Sequence, residues 1–451
     1  MLKRKKVKPI TLRDVTIIDD GKLRKAITAA SLGNAMEWFD FGVYGFVAYA
    51  LGKVFFPGAD PSVQMVAALA TFSVPFLIRP LGGLFFGMLG DKYGRQKILA
   101  ITIVIMSIST FCIGLIPSYD TIGIWAPILL CICRVGQGIG LGGEWGGAAL
   151  VATENAPEGK RAWYGTFPQL GAPIGLFVAN ATFFLVSYFW GQQALVEWAW
   201  RIPFISSLAL VLVGLYVRLT LHESHVFIEA EEKGKKLKAP VSVVFTKHFK
   251  PMVIGTFIMV ATYSLFYIMT AFAQAYSRTP ATLSEAGYPM GLGIPANTFT
   301  GLLLMSAIVF AIFISISGLY ADKIGRRKWL IWTTVSILIF ALCMPLFLGN
   351  GTPTSVFAFL VIGMALMGMT FGPMAALLPE LFPTEVRYSG ASLAYNIASI
   401  IGATIAAMIS LKINALYGLM GVGIYLAINA FLTLLALLAS KETKNVDLTQ
   451  I

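Results

Sequence analysis

Twelve runs of apolar residues, each roughly twenty residues or longer, dominate this 451-residue chain and leave few folds open to it. They cover Ala26–Leu51, Val63–Leu89, Ile98–Ile116, Ile122–Thr153, Trp163–Trp190 and Ile202–Leu221, then Met252–Tyr276, Phe299–Tyr320, Trp329–Leu348, Ser355–Leu378, Ser389–Leu411 and Leu419–Ser440. At ~1.5 Å per helical residue each crosses a ~30 Å hydrocarbon core. A backbone in lipid must satisfy its own hydrogen bonds, which leaves helices and closed barrels. Barrel strands are about ten residues long and alternate in polarity, so they do not fit these runs. The pattern predicts an all-α membrane protein with twelve transmembrane helices. Only 12% of residues are charged, against about 25% in soluble domains.

The net charge of +12 would suggest nucleic-acid binding in a soluble protein, but its placement says otherwise. Of the 34 Lys and Arg, all but Lys53, Arg79, Arg134, Arg201, Arg278 and Lys412 fall on one side of a twelve-crossing topology. Basic loops stay cytoplasmic, which puts both termini there and excludes a nucleic-acid partner. The expected division is a cytoplasmic segment 1–25, a six-helix bundle 26–221, a cytoplasmic linker 222–250 with room for a short surface helix, a second bundle 251–440 and a tail 441–451. No signal peptide opens the chain, so the first transmembrane helix is expected to direct insertion. Cys112, Cys131, Cys133 and Cys343 lie in apolar runs and read as packing residues. His222-Glu-Ser-His225 lacks the spacing of a helical zinc site, and no metal or cofactor is expected.

The second constraint is duplication. Gly87-Met-Leu-Gly-Asp91-Lys-Tyr-Gly94-Arg95-Gln-Lys97 follows the second run, and Gly318-Leu-Tyr-Ala-Asp322-Lys-Ile-Gly325-Arg326-Arg-Lys328 follows the eighth. Glu154-x-x-Pro-x-x-x-Arg161 and Glu380-x-x-Pro-x-x-x-Arg387 repeat after runs four and ten at nearly the same separation. Two unrelated motifs with nearly equal offsets predict two six-helix halves in the same orientation.

On these motifs the chain resembles the major facilitator superfamily. Arg79-Pro-Leu-Gly82 and Gln137-Gly-x-x-x-Gly-Gly-Glu144 resemble its metabolite–proton symporter family. The likeness is uneven: residues 1 to about 130 are similar to the proline/betaine–proton symporters, the remainder to shikimate-permease-like members, as in a mosaic or chimera. The resemblance implies secondary transport of a small organic acid or zwitterionic osmolyte with protons, across a bacterial inner membrane, by alternating access. It implies no enzymatic activity. A uniporter, a carrier coupled to another ion, or a chimera that folds without transporting are the alternatives.

Ionisable groups held in lipid are costly and mark function. Glu37 and Asp40 fall roughly 16–21 Å into the first run, on one helical face with Asn34 and Tyr44 near the same stripe. Low-dielectric surroundings disfavour a charged carboxyl, so either is a candidate proton carrier. Arg134, Gln137 and Glu144 share a face of the fourth helix. Arg134 is expected to pair with Glu37 or Asp40, or to take a substrate carboxylate. Arg79 either lines the same cavity or packs against those carboxylates. By resemblance the cavity is lined by the first, fourth, seventh and tenth helices, and in the seventh Tyr263, Tyr267 and Gln274 carry polar tips. Gly138-x-Gly140-x-x-Gly143 mimics a dinucleotide fingerprint but lies inside a hydrophobic helix. Gly138, Gly142 and Gly146 instead allow close helix approach. The repeated loops, with Asp91, Gly94, Arg95, Glu154 and Arg161, and Asp322, Gly325, Arg326, Glu380 and Arg387, are expected to form a cytoplasmic gate.

Overall fold

The computed structural model describes residues 10–15, 21–58, 61–219 and 240–446. The first half contains α1 (Gly21–Phe55), α2 (Pro61–Tyr93), α3 (Arg95–Leu115), α4 (Trp125–Glu154), α5 (Arg161–Ala194) and α6 (Arg201–Leu219). In the second half α7 begins as Phe249–Tyr267 and continues through a π turn, Ile268–Phe272, into Ala273–Arg278. Next come α8 (Ala296–Ile324), α9 (Arg326–Leu342) and α10 (Pro353–Phe371, extended by Met374–Glu380). α11 begins as Arg387–Ser399 and runs through a second π turn, Ile400–Thr404, into Ile405–Ala439. That last helix breaks at Gly418, where φ is 69°, and residues 419–439 form α12. The described residues contain no strand, only an isolated bridge between Leu283 and Pro289 after α7.

Among the described residues eight helices are long and apolar enough to cross a membrane by length and composition alone. Aliphatic side chains such as Leu81, Ile108, Ile132, Ile308, Ile339 and Ile428 are exposed on the outside of the bundle, as a lipid-facing surface requires. The expected linker lies mostly outside the described residues. Its end is the short helix Pro240–Lys247, whose Val244 packs with Met252, Phe382, Val386 and Leu393.

One hydrophobic core runs through both halves, and two seams join them, α2 against α11 and α5 against α8. Small residues set their closeness. A Cβ on Gly142 would meet Arg79 O at 2.2 Å, and one on Gly146 would meet Ser392 Oγ of α11 at 2.1 Å. The glycine row of α4 thus admits α2 on one side and the opposite half on the other. Gly94 and Gly325, each opening the helix after its repeated loop, adopt φ of 105° and 110°. Glycine alone reaches that conformation without strain.

Candidate functional site

The α1 carboxylates do not share one partner. Glu37 Oε1 accepts from Arg79 Nη2 at 2.5 Å, and both side chains are 1% exposed. Arg79 Nε donates to Asn396 Oδ1 of α11 at 3.1 Å, while its guanidinium lies 5.4 Å over the Tyr395 ring and 5.7 Å over Phe41. Asp40 instead accepts from Thr110 Oγ1 of α3 at 2.6 Å, inside the first half. A step of three residues turns a helix by about 300°, leaving the carboxyls some 60° apart. In a close-packed bundle that angle lets two carboxyls of one face reach different neighbours. Asn34, near the same stripe, donates to Pro168 O of α5 at 2.6 Å.

The expected pairing of Arg134 with these carboxylates is corrected. Arg134 donates to Gln137 Oε1 at 2.6 Å, Thr71 O at 3.1 Å and Phe72 O at 2.9 Å. Pro75 lacks the N–H that would otherwise close the helical bond to Thr71 O, so this carbonyl is free for the guanidinium. The Tyr44 ring covers it at 3.9 Å, and Tyr44 bonds Thr71 Oγ1. Gln137 continues the chain to Thr110 Oγ1 at 2.8 Å. Glu144 accepts from Thr102 Oγ1 of α3 at 3.0 Å. The polar face of α4 is therefore turned inward within its own half, towards α2 and α3.

Beyond Arg79, away from the basic end, a cavity of about 60 Å³ lies between the halves, lined among others by Trp38, Phe41, Phe72, Phe266, Tyr267 and Gln274. At ~30 Å³ per water it holds about two. Tyr267 and Gln274 reach it as expected. Tyr263 sits deeper, its ring 5.2 Å from Tyr395, which stacks on Trp145 at 3.9 Å. Glu37 Oε2 and Trp38 Nε1 are buried without a hydrogen-bond partner. One turn beyond Gln274, Arg278 Nη2 reaches Thr300 Oγ1 at 3.5 Å. With the Gln274 amide turned towards it, Nη2 donates there at 2.9 Å. No acidic side chain among the described residues pairs with Arg278. A larger apolar groove of about 620 Å³, lined by Phe55, Ile128 and Val135 among others, lies on the outer surface and carries no charged side chain. Sequence reasoning missed Trp38, Trp145, Tyr395 and Asn396. A Tyr-Asn pair inside an apolar run was the signal for the last two.

The basic end is sealed by the repeated loops. Asp91 accepts from the N–H groups of Tyr388 and Ser389 at 3.3 and 3.0 Å and from Ser389 Oγ at 2.7 Å. Asp322 accepts from Ala162 N and Trp163 N at 3.0 and 2.8 Å. Each aspartate thus caps the first helical turn of the opposite half, where orphan amides and the helix dipole favour an anion. Arg387 pairs with Glu154 at 3.1 Å. Glu380 Oε1 takes Arg161 at 3.0 Å and Arg326 at 3.2 Å, and Arg326 also holds Asp322 at 3.0 Å. Thr443 of the tail donates to Glu380 Oε2 at 2.5 Å. The Arg95 side chain lies outside the described residues.

Residues 25–245 and 290–451 match the family described as sugar (and other) transporter. A provisionally named metabolite transport protein of Haemophilus influenzae is 76% identical over 95% of this chain and 98% of its own length. The proline/betaine transporter of Escherichia coli is 47% identical over 99% of this chain and 89% of its own length. Among solved structures, the proton:xylose symporter XylE bound to 6-bromo-6-deoxy-D-glucose superposes with a TM-score of 0.78 at 16% identity, over 96% of this chain and 98% of that one. That likeness carries the fold alone, with its twelve helices in two six-helix bundles. The chain belongs to the sugar (and other) transporter family and has the major facilitator fold, and it is a membrane transporter, not an enzyme.

Proposed function

We propose that this protein is a proton-coupled symporter of a small carboxylate-bearing metabolite, an organic acid or a zwitterion, across a bacterial inner membrane with both termini cytoplasmic. One observation carries the reading: the Glu37–Arg79 ion pair is buried at mid-membrane near a small cavity between the halves, with one carboxyl oxygen unpartnered. A proton on Glu37 removes the charge that holds Arg79 and frees the guanidinium for a substrate carboxylate. Breaking a buried ion pair leaves a costly unpaired charge, so proton and substrate each favour the other's arrival. Arg278, without an acidic partner at the outer end of the cavity, supports an anionic group on the substrate. The sealed basic end corresponds to an outward-facing state, and the paired caps and ion pairs there act as the cytoplasmic gate. The names of the relatives, an inner membrane metabolite transport protein of Escherichia coli and a proline/betaine transporter, agree with this class of cargo.

The test is uptake by reconstituted protein with proline, glycine betaine and shikimate as probes. Glu37→Gln is expected to abolish accumulation driven by a proton gradient while retaining exchange. Accumulation by both Glu37→Gln and Asp40→Asn, at wild-type level, rejects proton coupling through α1. A carrier driven by another ion would instead lose accumulation when that ion is withdrawn.

A further inference from the structure

From the C-terminal half Asn396 bonds Arg79 of the Glu37–Arg79 pair, beside the Tyr395 ring, and its geometry is that of a clasp. Its Oδ1 accepts from Arg79 Nε at 3.1 Å on α2. Its Nδ2 donates to Gly142 O at 2.7 Å on α4. The side chain is 1% exposed, and no Cβ crowds it from Gly83, where an added carbon would stand 2.6 Å from Nδ2. One amide on the opposite half therefore spans two helices of the first half at the level of the buried ion pair. We propose that Asn396 is the positioning residue through which the charge state of Glu37 is conveyed to the second half.

The inference rests on the proton-coupled reading above and adds its mechanical link. With Glu37 ionised, Nη2 is fixed by a charge-assisted bond, and this holds Nε in line with Asn396. Protonation of Glu37 weakens that bond. Arg79 then turns away, Asn396 loses its acceptor contact, and α11 is free to slide along the glycine-lined face of α2. Asp91 grips the start of the same α11, so sliding there opens the basic end. The titratable and charged groups facing Glu37 are Arg79 from α2, Glu144 from α4, Tyr263 and Tyr267 from α7, Tyr395 from α11 and Asp40 one turn along α1. Only Arg79 is both bonded to Glu37 and bonded across the seam.

The test needs no known substrate. Spin labels at Glu158 and Lys328, both exposed at the basic end on opposite halves, report gate opening by their distance distribution, in protein whose four cysteines are replaced by serine. The open fraction of the wild type is expected to rise as pH falls from 9 to 5, and Glu37→Gln is expected to be fixed at the low-pH distribution at every pH. Asn396→Leu and Asn396→Ala are expected to flatten the pH response at least fivefold. Gly83→Ala should do the same by displacing the amide without altering it. If Asn396 variants lose thermal stability yet keep the wild-type pH response while Glu37→Gln has none, Asn396 is a structural contact only and the proposal is overturned. If Glu37→Gln responds to pH as the wild type does, the proton-carrier reading fails instead.

Discussion

The two seams that join the halves are built on one plan at the basic end and on two plans at mid-membrane. On the α2–α11 seam Asp91 caps α11; on the α5–α8 seam Asp322 caps α5. Counted back from these aspartates, however, Arg79 and Phe310 occupy the same place in their helices. Arg79 carries the ion pair and the bond to Asn396. Phe310 packs with Phe266 and Phe371, ring centroids 6.3 and 6.0 Å away. Counted from Arg161 and Arg387, Leu170 holds the position of Asn396. Duplication therefore supplied two copies of the cap network but only one charged seam at mid-membrane, so on the proposed mechanism gating is shared between the halves and coupling is concentrated in one.

The largest effect should come from removing the difference itself. Arg79→Leu strands Glu37 as a buried charge and is expected to cost about 3–5 kcal/mol, read as thermal unfolding in detergent, with accumulation lost. Phe310→Leu at the equivalent place is expected to cost less than about 1.5 kcal/mol and to leave accumulation intact. Equal losses from the two would erase the asymmetry. Next is Thr443→Val, which removes a hydrogen bond to a buried carboxylate on the α5–α8 side alone. A charge-assisted bond of this kind contributes about 1.5–3 kcal/mol, so the labelled gate should open more readily without any change at the α2–α11 end. Smaller again are Asp91→Asn and Asp322→Asn. Each weakens one cap, worth about 1 kcal/mol or a roughly fivefold shift towards the open gate, and the two shifts should be similar. Smallest is Trp145→Phe, which keeps the ring stacked on Tyr395 but loses the 3.0 Å bond to Gln169. It is expected to change probe affinity less than about threefold, with the coupling ratio unchanged.

The gate was largely legible from the chain. Asp91, Arg161, Asp322, Arg326, Glu380 and Arg387 were all expected at one end, and the structure joins them across the halves. A repeated loop carries its geometry with it, because glycine, aspartate and arginine in a fixed short order have few ways to fold. The mid-membrane site was legible in its parts but not in its pairings. Glu37, Asp40, Arg79 and Arg134 stood out because charge in lipid is conspicuous. Which met which was not visible: Arg134 bonds Gln137 and two carbonyls rather than Glu37 or Asp40 directly. Asn396, neutral and set in an apolar run, gave no comparable signal.

By itself the amino-acid sequence determined the helical membrane fold, its doubling and the charged residues that must sit inside it. Lipid offers the backbone no hydrogen bonds, so length and apolarity leave only one class of solution. Tertiary packing alone decided that Glu37 meets Arg79, that Asp40 turns to Thr110 and that Arg134 is held by carbonyls of a helix from which proline has removed a hydrogen bond. Those choices depend on helix rotation of a few tens of degrees and on glycine contacts between distant segments. Spacing along one helix does not specify either.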